Sequence, residues 1–118
     1  MMADWRRWDR AFASDLVRVE VRRALHRVHA ERNMSDEDIA RNWSNLVTIE
    51  VTMTWLPLDE AVLEFASGRT REPLKTLDAL HLATARLVRD DVPDLVFATH
   101  DRRLATAAET SGFPVDGV

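Results

Sequence analysis

Leu77-Asp78-Ala79-Leu80-His81-Leu82-Ala83-Thr84-Ala85 is the stretch that decides how the rest of this chain is interpreted. At about 100° per residue, the apolar side chains of this stretch, together with Leu87 and Val88, cover nearly the whole circumference of a helix. This pattern predicts a buried helix. Asp78 falls on that apolar surface. A buried carboxylate must be paired, hydrogen-bonded, protonated or bound to a metal, because burying it bare costs several kcal/mol. The role of Asp78 is therefore the question that the remaining sequence has to answer.

The composition restricts the number of domains, the possible metal ligands and the class of protein. The 118 residues fit a single domain, 1–118, and 46% hydrophobic with 31% charged residues is an ordinary globular composition. The sequence contains no cysteine, so a metal would be bound by carboxylates or histidines, and carboxylates suit Mg²⁺ or Mn²⁺. A net charge of −4 argues against a protein that coats nucleic acid through bulk charge, but it is compatible with a nuclease whose site is acidic.

The sequence also predicts a location. No apolar run approaches the length of about 18 residues that a membrane span requires, so we expect no membrane association. The first residues carry two tryptophans and several charges where a signal peptide would need an apolar segment. A cytoplasmic protein is the expectation.

The first half of the chain shows helical spacing. Trp5, Trp8 and Phe12 are three and four residues apart, which predicts a short packed helix over residues 1–13, with an RNA-stacking patch as the alternative. A longer helix is expected to begin at a cap at residue 14 or 15 and to run to about residue 32. Glu20 projects from the apolar stripe of that helix. A functional role and a side chain that simply reaches solvent from the edge of the stripe explain this position equally well.

The second half predicts an α/β fold with a parallel sheet. The further expected elements are a helix from 35 to about 52, a strand at 55–58, a helix from 59 to 68, the helix of Asp78 to about 89, a strand at 95–98, a helix at 102–111 and a strand at 113–115. Residues 47–55 alternate in polarity, so a strand there is the alternative. Strand, helix and strand over the last twenty residues form a βαβ unit, whose strands are parallel. Active groups in such sheets lie at the carboxyl ends of strands, where Asp101 is placed.

Glu20, Asp78 and Asp101 are thus three carboxylates on three different elements. Each has an ordinary explanation alone, and Asp101 could simply cap the helix that follows it. Three together favour a shared site. Like charges brought close raise each other's pKa, and a hard divalent cation removes that penalty. Such a cation also activates water and stabilises charge on a phosphoryl oxygen.

Three segments carry a resemblance to a known family: Ser14-Asp15-Leu16-Val17-Arg18-Val19-Glu20-Val21-Arg22-Arg23-Ala24-Leu25, the Asp78 stretch quoted above, and Phe97-Ala98-Thr99-His100-Asp101-Arg102-Arg103-Leu104. In these segments the chain resembles the PIN-domain family and, within it, the VapC-type toxins of bacterial toxin–antitoxin pairs. The resemblance runs from about residue 14 to residue 115, and residues 31–72 match only in outline.

The resemblance implies a three-layer fold, in which helices flank a parallel sheet, and an endoribonuclease that uses Mg²⁺ or Mn²⁺. Glu20, Asp78 and Asp101 would be metal ligands, and Thr99 would orient the site. The implied chemistry is the attack of metal-activated water on an RNA phosphodiester.

The resemblance also implies partners. Arg18, Arg102 and Arg103 could contact the RNA phosphates, although charges on solvated helix faces explain them as well. A cognate antitoxin protein would cover the site, and a homodimer is expected.

One part of the family pattern has no counterpart in the sequence. The family opens with a strand of three apolar residues followed by Asp and then Thr or Ser, and that Asp is the first of four acids. Asp4 follows no such strand, so we do not assign the role to it, and we expect the first strand of the fold to be missing. A start codon placed too late, a fragment, or a shortened inactive relative would each explain this. The alternative function is therefore a catalytically inactive remnant that binds protein, for example by sequestering the antitoxin; a plain α/β domain with unrelated acids is a third reading.

Overall fold

A computed structural model describes residues 10–70 and 73–118, which divide into two compact units, residues 10–56 and residues 57–118. Within the described ranges the chain forms five helices and four short strands, so the α/β class predicted from the sequence is confirmed. In the same ranges, no helix has the length and apolar character that crossing a membrane requires. The single domain predicted over 1–118 stays a prediction.

The unit of residues 10–56 contains two strands and two helices. Its elements are β1 (Phe12–Ser14), α1 (Asp15–Arg32), α2 (Asp36–Glu50) and β2 (Thr54–Leu56). The two strands pair in parallel, with Phe12 opposite Thr54 and Ser14 opposite Leu56. Helix α1 ends at Asn33, whose backbone is left-handed at φ 48° and whose N–H donates to the carbonyl of His29.

The sequence pattern at the N-terminus was misleading. Residues 12–14 form strand β1, so the helix predicted over residues 1–13 is wrong there; Trp5 and Trp8 lie outside the described residues. The strand exists because its partner is β2, about forty residues later in the chain, and helical spacing of three aromatic residues carries no information about that partner.

The choice of helix over strand after residue 35 is confirmed. The Ser35 hydroxyl accepts the backbone N–H of Asp38 at 3.2 Å, and three acids occupy the first turn of α2, where the helix dipole favours them. The helix then continues to Glu50 through most of the segment whose alternation is typical of a strand. Strand β2 starts at Thr54, one residue earlier than predicted, and ends at Leu56.

The unit of residues 57–118 contains three helices and a parallel pair of strands. Its elements are α3 (Glu60–Ala66), α4 (Thr76–Asp91), β3 (Phe97–Ala98), α5 (Arg102–Thr110) and β4 (Val115–Asp116). Phe97 is opposite Val115 in the parallel pair, so the predicted βαβ unit is confirmed. The Asp59 and Asp101 side chains cap α3 and α5, each accepting a backbone N–H at 3.0 Å.

A hydrophobic core lies within this second unit. Leu82 of α4, Leu104 and Ala108 of α5, and Phe97 and Phe113 belong to one buried cluster. The rings of Phe97 and Phe113 have centroids 5.8 Å apart in a tilted arrangement, a favourable geometry for aromatic pairs. This cluster joins helices α4 and α5 to the parallel pair of strands β3 and β4.

The prediction that the Asp78 helix is buried on nearly all sides is only partly right. Leu82, Ala83, Thr84 and Val88 are buried, but Leu77 in the first turn keeps 44% of its surface exposed. Leu77 therefore lies on a side of the first turn that the core cluster does not cover, although Leu74, three residues earlier, packs against that cluster.

Candidate active site

Asp78 lies in the first turn of α4 and is half-buried. Positive partial charge from unpaired backbone N–H groups at this end of a helix stabilises a carboxylate. Asp78 precedes Leu82 by four residues, so the two side chains share one face of the helix. Since Leu82 is in the core, Asp78 is positioned one turn from that core.

Asp101 follows strand β3 and caps α5, as one interpretation of the sequence predicted. Its Oδ1 accepts the N–H of Leu104 at 3.0 Å, and its own N–H donates to the hydroxyl of Thr99 at 3.1 Å. The side chain is exposed, and the cap bond uses Oδ1. Because Leu104 belongs to the same core cluster as Leu82, Asp78 and Asp101 each lie about one helical turn from that cluster.

The end of strand β4 fixes the loop that carries Asp101. The N–H of Thr99 donates to the carbonyl of Asp116 at 3.0 Å, and Nδ1 of His100 donates to the carbonyl of Gly117 at 2.8 Å. Gly117 has φ +106°, and a Cβ built there would lie 2.6 Å from the Thr99 carbonyl oxygen. Only glycine adopts this backbone and this close approach without strain. The sequence did not predict this arrangement, because only the fold brings Gly117 close to Thr99.

Glu20 is placed on α1, in the other unit, where it is half-buried. Among residues 10–70 and 73–118, no three carboxylate or imidazole side chains form a group that could hold a metal ion. Asp78 and Asp101 thus each lie one turn from a residue of the same core cluster, and the described side chains do not form a complete cation site.

The three candidate phosphate-binding arginines differ in their surroundings. Arg102 and Arg103 occupy the first turn of α5 and are exposed. The guanidinium of Arg18 instead lies 4.5 Å from the centre of the Trp55 ring, and its Nε is 3.9 Å from Oε2 of Glu50. Arg18 thus has partners within its own unit, while 42% of its side chain remains exposed.

The first unit contains an ion pair that the sequence did not predict. Arg22 donates from Nε and Nη2 to the two carboxylate oxygens of Glu50, at 3.0 and 2.6 Å, and Glu50 is buried. The hydrogen bonds from Arg22 hold the pKa of Glu50 below its usual range; desolvation opposes this, and the charges of Arg22 and Arg18 add to it. A carboxylate in the alternating segment 47–55 was the available signal, but its partner is 28 residues away.

A histidine cluster in the same unit was also missed. Trp43 of α2 contacts two histidines of α1, with ring centroids 4.9 Å from His26 and 6.5 Å from His29. His29 is buried, and its Nε2 lies 3.4 Å from Nδ2 of Asn42. The cluster joins the two helices through polar and aromatic groups.

Comparison with known proteins gives a consistent result. The family model described as PIN domain matches residues 2–110. In Mycobacterium tuberculosis, the protein named ribonuclease VapC46 is 35% identical over 103 residues, which are 87% of this chain and 70% of that protein. Ribonuclease VapC49 is 34% identical over 115 residues, covering 92% and 74%, and ribonuclease VapC35 is 31% identical over 117 residues, covering 97% and 79%. No solved structure matches the chain.

Proposed function

This chain belongs to the PIN-domain family, and from that premise we propose that it is a metal-dependent endoribonuclease, the toxin of a type II toxin–antitoxin pair. The observation that carries the proposal is its 31–35% identity to proteins named ribonuclease VapC over most of its length. The placement of Asp78 and Asp101 about one turn from a common core is consistent with it.

We assign the metal ligands to Glu20, Asp78 and Asp101. Carboxylate oxygens are the donors that Mg²⁺ and Mn²⁺ prefer, and a bound cation of this kind lowers the pKa of water and stabilises charge on a phosphoryl oxygen. In this proposal Thr99 orients the loop of Asp101, since its hydroxyl accepts the Asp101 N–H.

The proposed partners follow from the relatives. The substrate is RNA, whose phosphates would contact Arg102 and Arg103 at the start of α5, and Arg18 in the other unit. The cognate antitoxin would cover the acidic site, the toxin would form a homodimer, and the complex would reside in the cytoplasm with its substrate.

A second candidate function is a catalytically inactive PIN domain that acts by binding the antitoxin. One observation favours it: the described residues contain no group of three potential metal ligands. The two functions differ in metal binding, so a metal titration can distinguish them.

A calorimetric titration of the 118-residue chain with Mn²⁺ distinguishes the two. For the enzyme, we expect binding that disappears in Asp78→Asn, together with RNA cleavage that is lost in the same variant while its circular dichroism is unchanged. Asp90→Asn is the matched control, since Asp90 is exposed on the same helix, near its other end. A folded wild-type chain that neither binds Mn²⁺ nor cleaves RNA would contradict the enzyme and support the antitoxin-binding function.

A further inference from the structure

A small open cavity lies in the unit of residues 57–118, away from the two acids of that unit. Its volume is about 120 Å³, and its floor is formed by Leu82 and Ala107. Its polar walls are Arg69, Thr70, Arg86 and Thr110, all of them exposed residues. With Ser111, the lining residues that the structure describes carry two guanidinium cations and three hydroxyl groups, and none of these residues has a carboxylate, a composition that fits an anion.

Arg86 is oriented by an aromatic ring. Its guanidinium lies 5.0 Å from the centre of the Phe65 ring, and Phe65 itself is 43% exposed. An arginine held over a ring loses less conformational freedom when it binds a ligand. Within the part of the chain that the structure describes, neither Arg69 nor Arg86 forms an ion pair with a carboxylate, so their charges are not neutralised there.

The cavity lies beside the C-terminal end of α5, which by its dipole would repel an anion. Arg89 counters this effect: its Nη1 donates to the carbonyl of Ser111 at 2.7 Å, and its guanidinium lies 4.1 Å from the centre of the Phe113 ring. The carbonyl that follows the helix is thus bound to a cation. The negative end of α5 is therefore partly neutralised at Ser111, which is one of the residues that line the cavity.

Size restricts the ligand to a single group. The volume corresponds to about four water molecules and is well below the roughly 300–1,000 Å³ of small-molecule sites. The cavity also lies at the opposite end of α5 from Asp101, and nine residues of helix separate the two by about 13 Å. The cavity therefore suits a single anionic group. A long ligand could place that group here while another part of it passes Asp101 at the N-terminal end of α5.

We propose that this cavity binds a backbone phosphate of the RNA substrate, at a position remote from the phosphodiester that is cleaved. The proposal rests on the ribonuclease function proposed above. A phosphate offers several charged oxygens to separate donors, which matches two guanidinium groups and three hydroxyl groups. The site would contribute to substrate affinity and would fix where the strand lies, without taking part in the chemistry.

Fluorescence anisotropy with a labelled single-stranded RNA, measured in EDTA at several salt concentrations, tests the site without cleavage. Arg69→Gln should weaken binding about tenfold, because one charge-assisted contact is lost. The slope of log K against log salt should fall by about 0.7, the value for one phosphate contact on a single strand. Arg86→Lys keeps the charge but loses the planar fork, and should weaken binding with little change in slope.

Arg41→Gln is the control, because Arg41 is an exposed arginine of the other unit, paired with Asp38 and Glu37. It should leave affinity and slope unchanged. If Arg69→Gln and Arg86→Lys match this control while the wild type binds and cleaves RNA, the inference is wrong and the ribonuclease stands. If Arg69→Gln loses affinity for a polyglutamate peptide but not for RNA, the cavity receives carboxylates and the inference is also wrong. A wild type that neither binds nor cleaves RNA would overturn both proposals.

Discussion

The two units of this protein are stabilised by different kinds of contact. Among the described residues, all ten buried hydrophobic side chains belong to residues 57–118. In residues 10–56, every one of which the structure describes, the buried side chains are the polar residues Ser14, His29 and Glu50. Apolar burial is the main stabilising contribution in the one unit, whereas hydrogen bonds, an ion pair and aromatic contacts are prominent in the other.

This difference predicts different sensitivities. The free energy contributed by an apolar core depends on packing and is insensitive to pH, whereas an ion pair of a buried carboxylate depends on its protonation. Substitutions of core residues in 57–118 should therefore act through lost volume. Substitutions in 10–56 should act through lost polar partners, and pH should modulate their effect.

The largest expected effect is on activity. It tests whether residues 10–56, the unit whose buried side chains are polar, supply a metal ligand. Glu20→Gln should lower RNA cleavage by more than the roughly 10–100-fold that follows loss of a residue that only orients a metal ligand. The measurement is the initial cleavage rate at saturating Mn²⁺, with Glu31→Gln, an exposed position later on α1, as the control. Wild-type rates in Glu20→Gln would show that this unit contributes no ligand.

Removing core volume from residues 57–118 should have the next largest effect. Leu82 is 4% exposed, so Leu82→Ala should lower the free energy of unfolding by about 2–5 kcal/mol, measured by urea denaturation. Leu77→Ala on the same helix is the matched control, because Leu77 is 44% exposed, and a change within about 0.5 kcal/mol is expected. Equal losses in the two variants would mean that this core is not where the helix is stabilised.

A smaller effect is expected where β4 fixes the loop of Asp101. Gly117→Ala places a Cβ 2.6 Å from the Thr99 carbonyl at a positive φ, and should cost about 1–3 kcal/mol of stability by thermal unfolding. Gly68→Ala should cost less, since its Cβ would meet the nearest atom at 3.2 Å. An unchanged stability in Gly117→Ala would indicate that the loop does not depend on this close contact.

The smallest expected effect depends on pH and belongs to residues 10–56. The pKa of Glu50 is lowered in the folded state, so its contribution to stability is fully present above the unfolded value of 4.5 and is lost as pH falls through the folded pKa. Glu50→Gln should therefore lower Tm near neutral pH, and the difference from wild type should shrink below pH 4.5. Glu37→Gln, which removes an exposed partner of Arg41, should change Tm little at any pH. A pH-independent difference in Glu50→Gln would show that packing, and not the ion pair, accounts for the effect.

Local chemistry made much of the fold predictable. The helices predicted from residues 35 and 59 begin after the caps Ser35 and Asp59, and Asp101 caps α5 as one interpretation predicted; each of the three side chains accepts a backbone N–H. The βαβ unit followed from a short apolar run, a helical pattern and a glycine near its end. These signals lie within a few residues of one another, so one sequence is sufficient to interpret them.

The acidic residues of the candidate site were predictable from the sequence, but the long-range contacts that hold its surroundings in place were not. Asp78 and Asp101 were found because a carboxylate on an apolar surface and an acid after a strand are both visible in the sequence. The contact between Gly117 and Thr99 was missed, since it joins two strand ends through the backbone. So was the Arg22–Glu50 pair, because neither residue has a pattern that indicates its partner.

The sequence by itself determined where α1, α2, α3 and α5 begin, the α/β class with its parallel strands, and the acidic residues that match the family. Only the tertiary structure decided that residues 12–14 form a strand, that Glu50 is bound by Arg22, and that Leu77 is exposed although its pattern is apolar. The physical reason is the range of the interactions. Caps and periodicity depend on neighbours within a turn or two of the chain, whereas strand pairing, ion pairing and burial depend on partners that only the folded chain brings close.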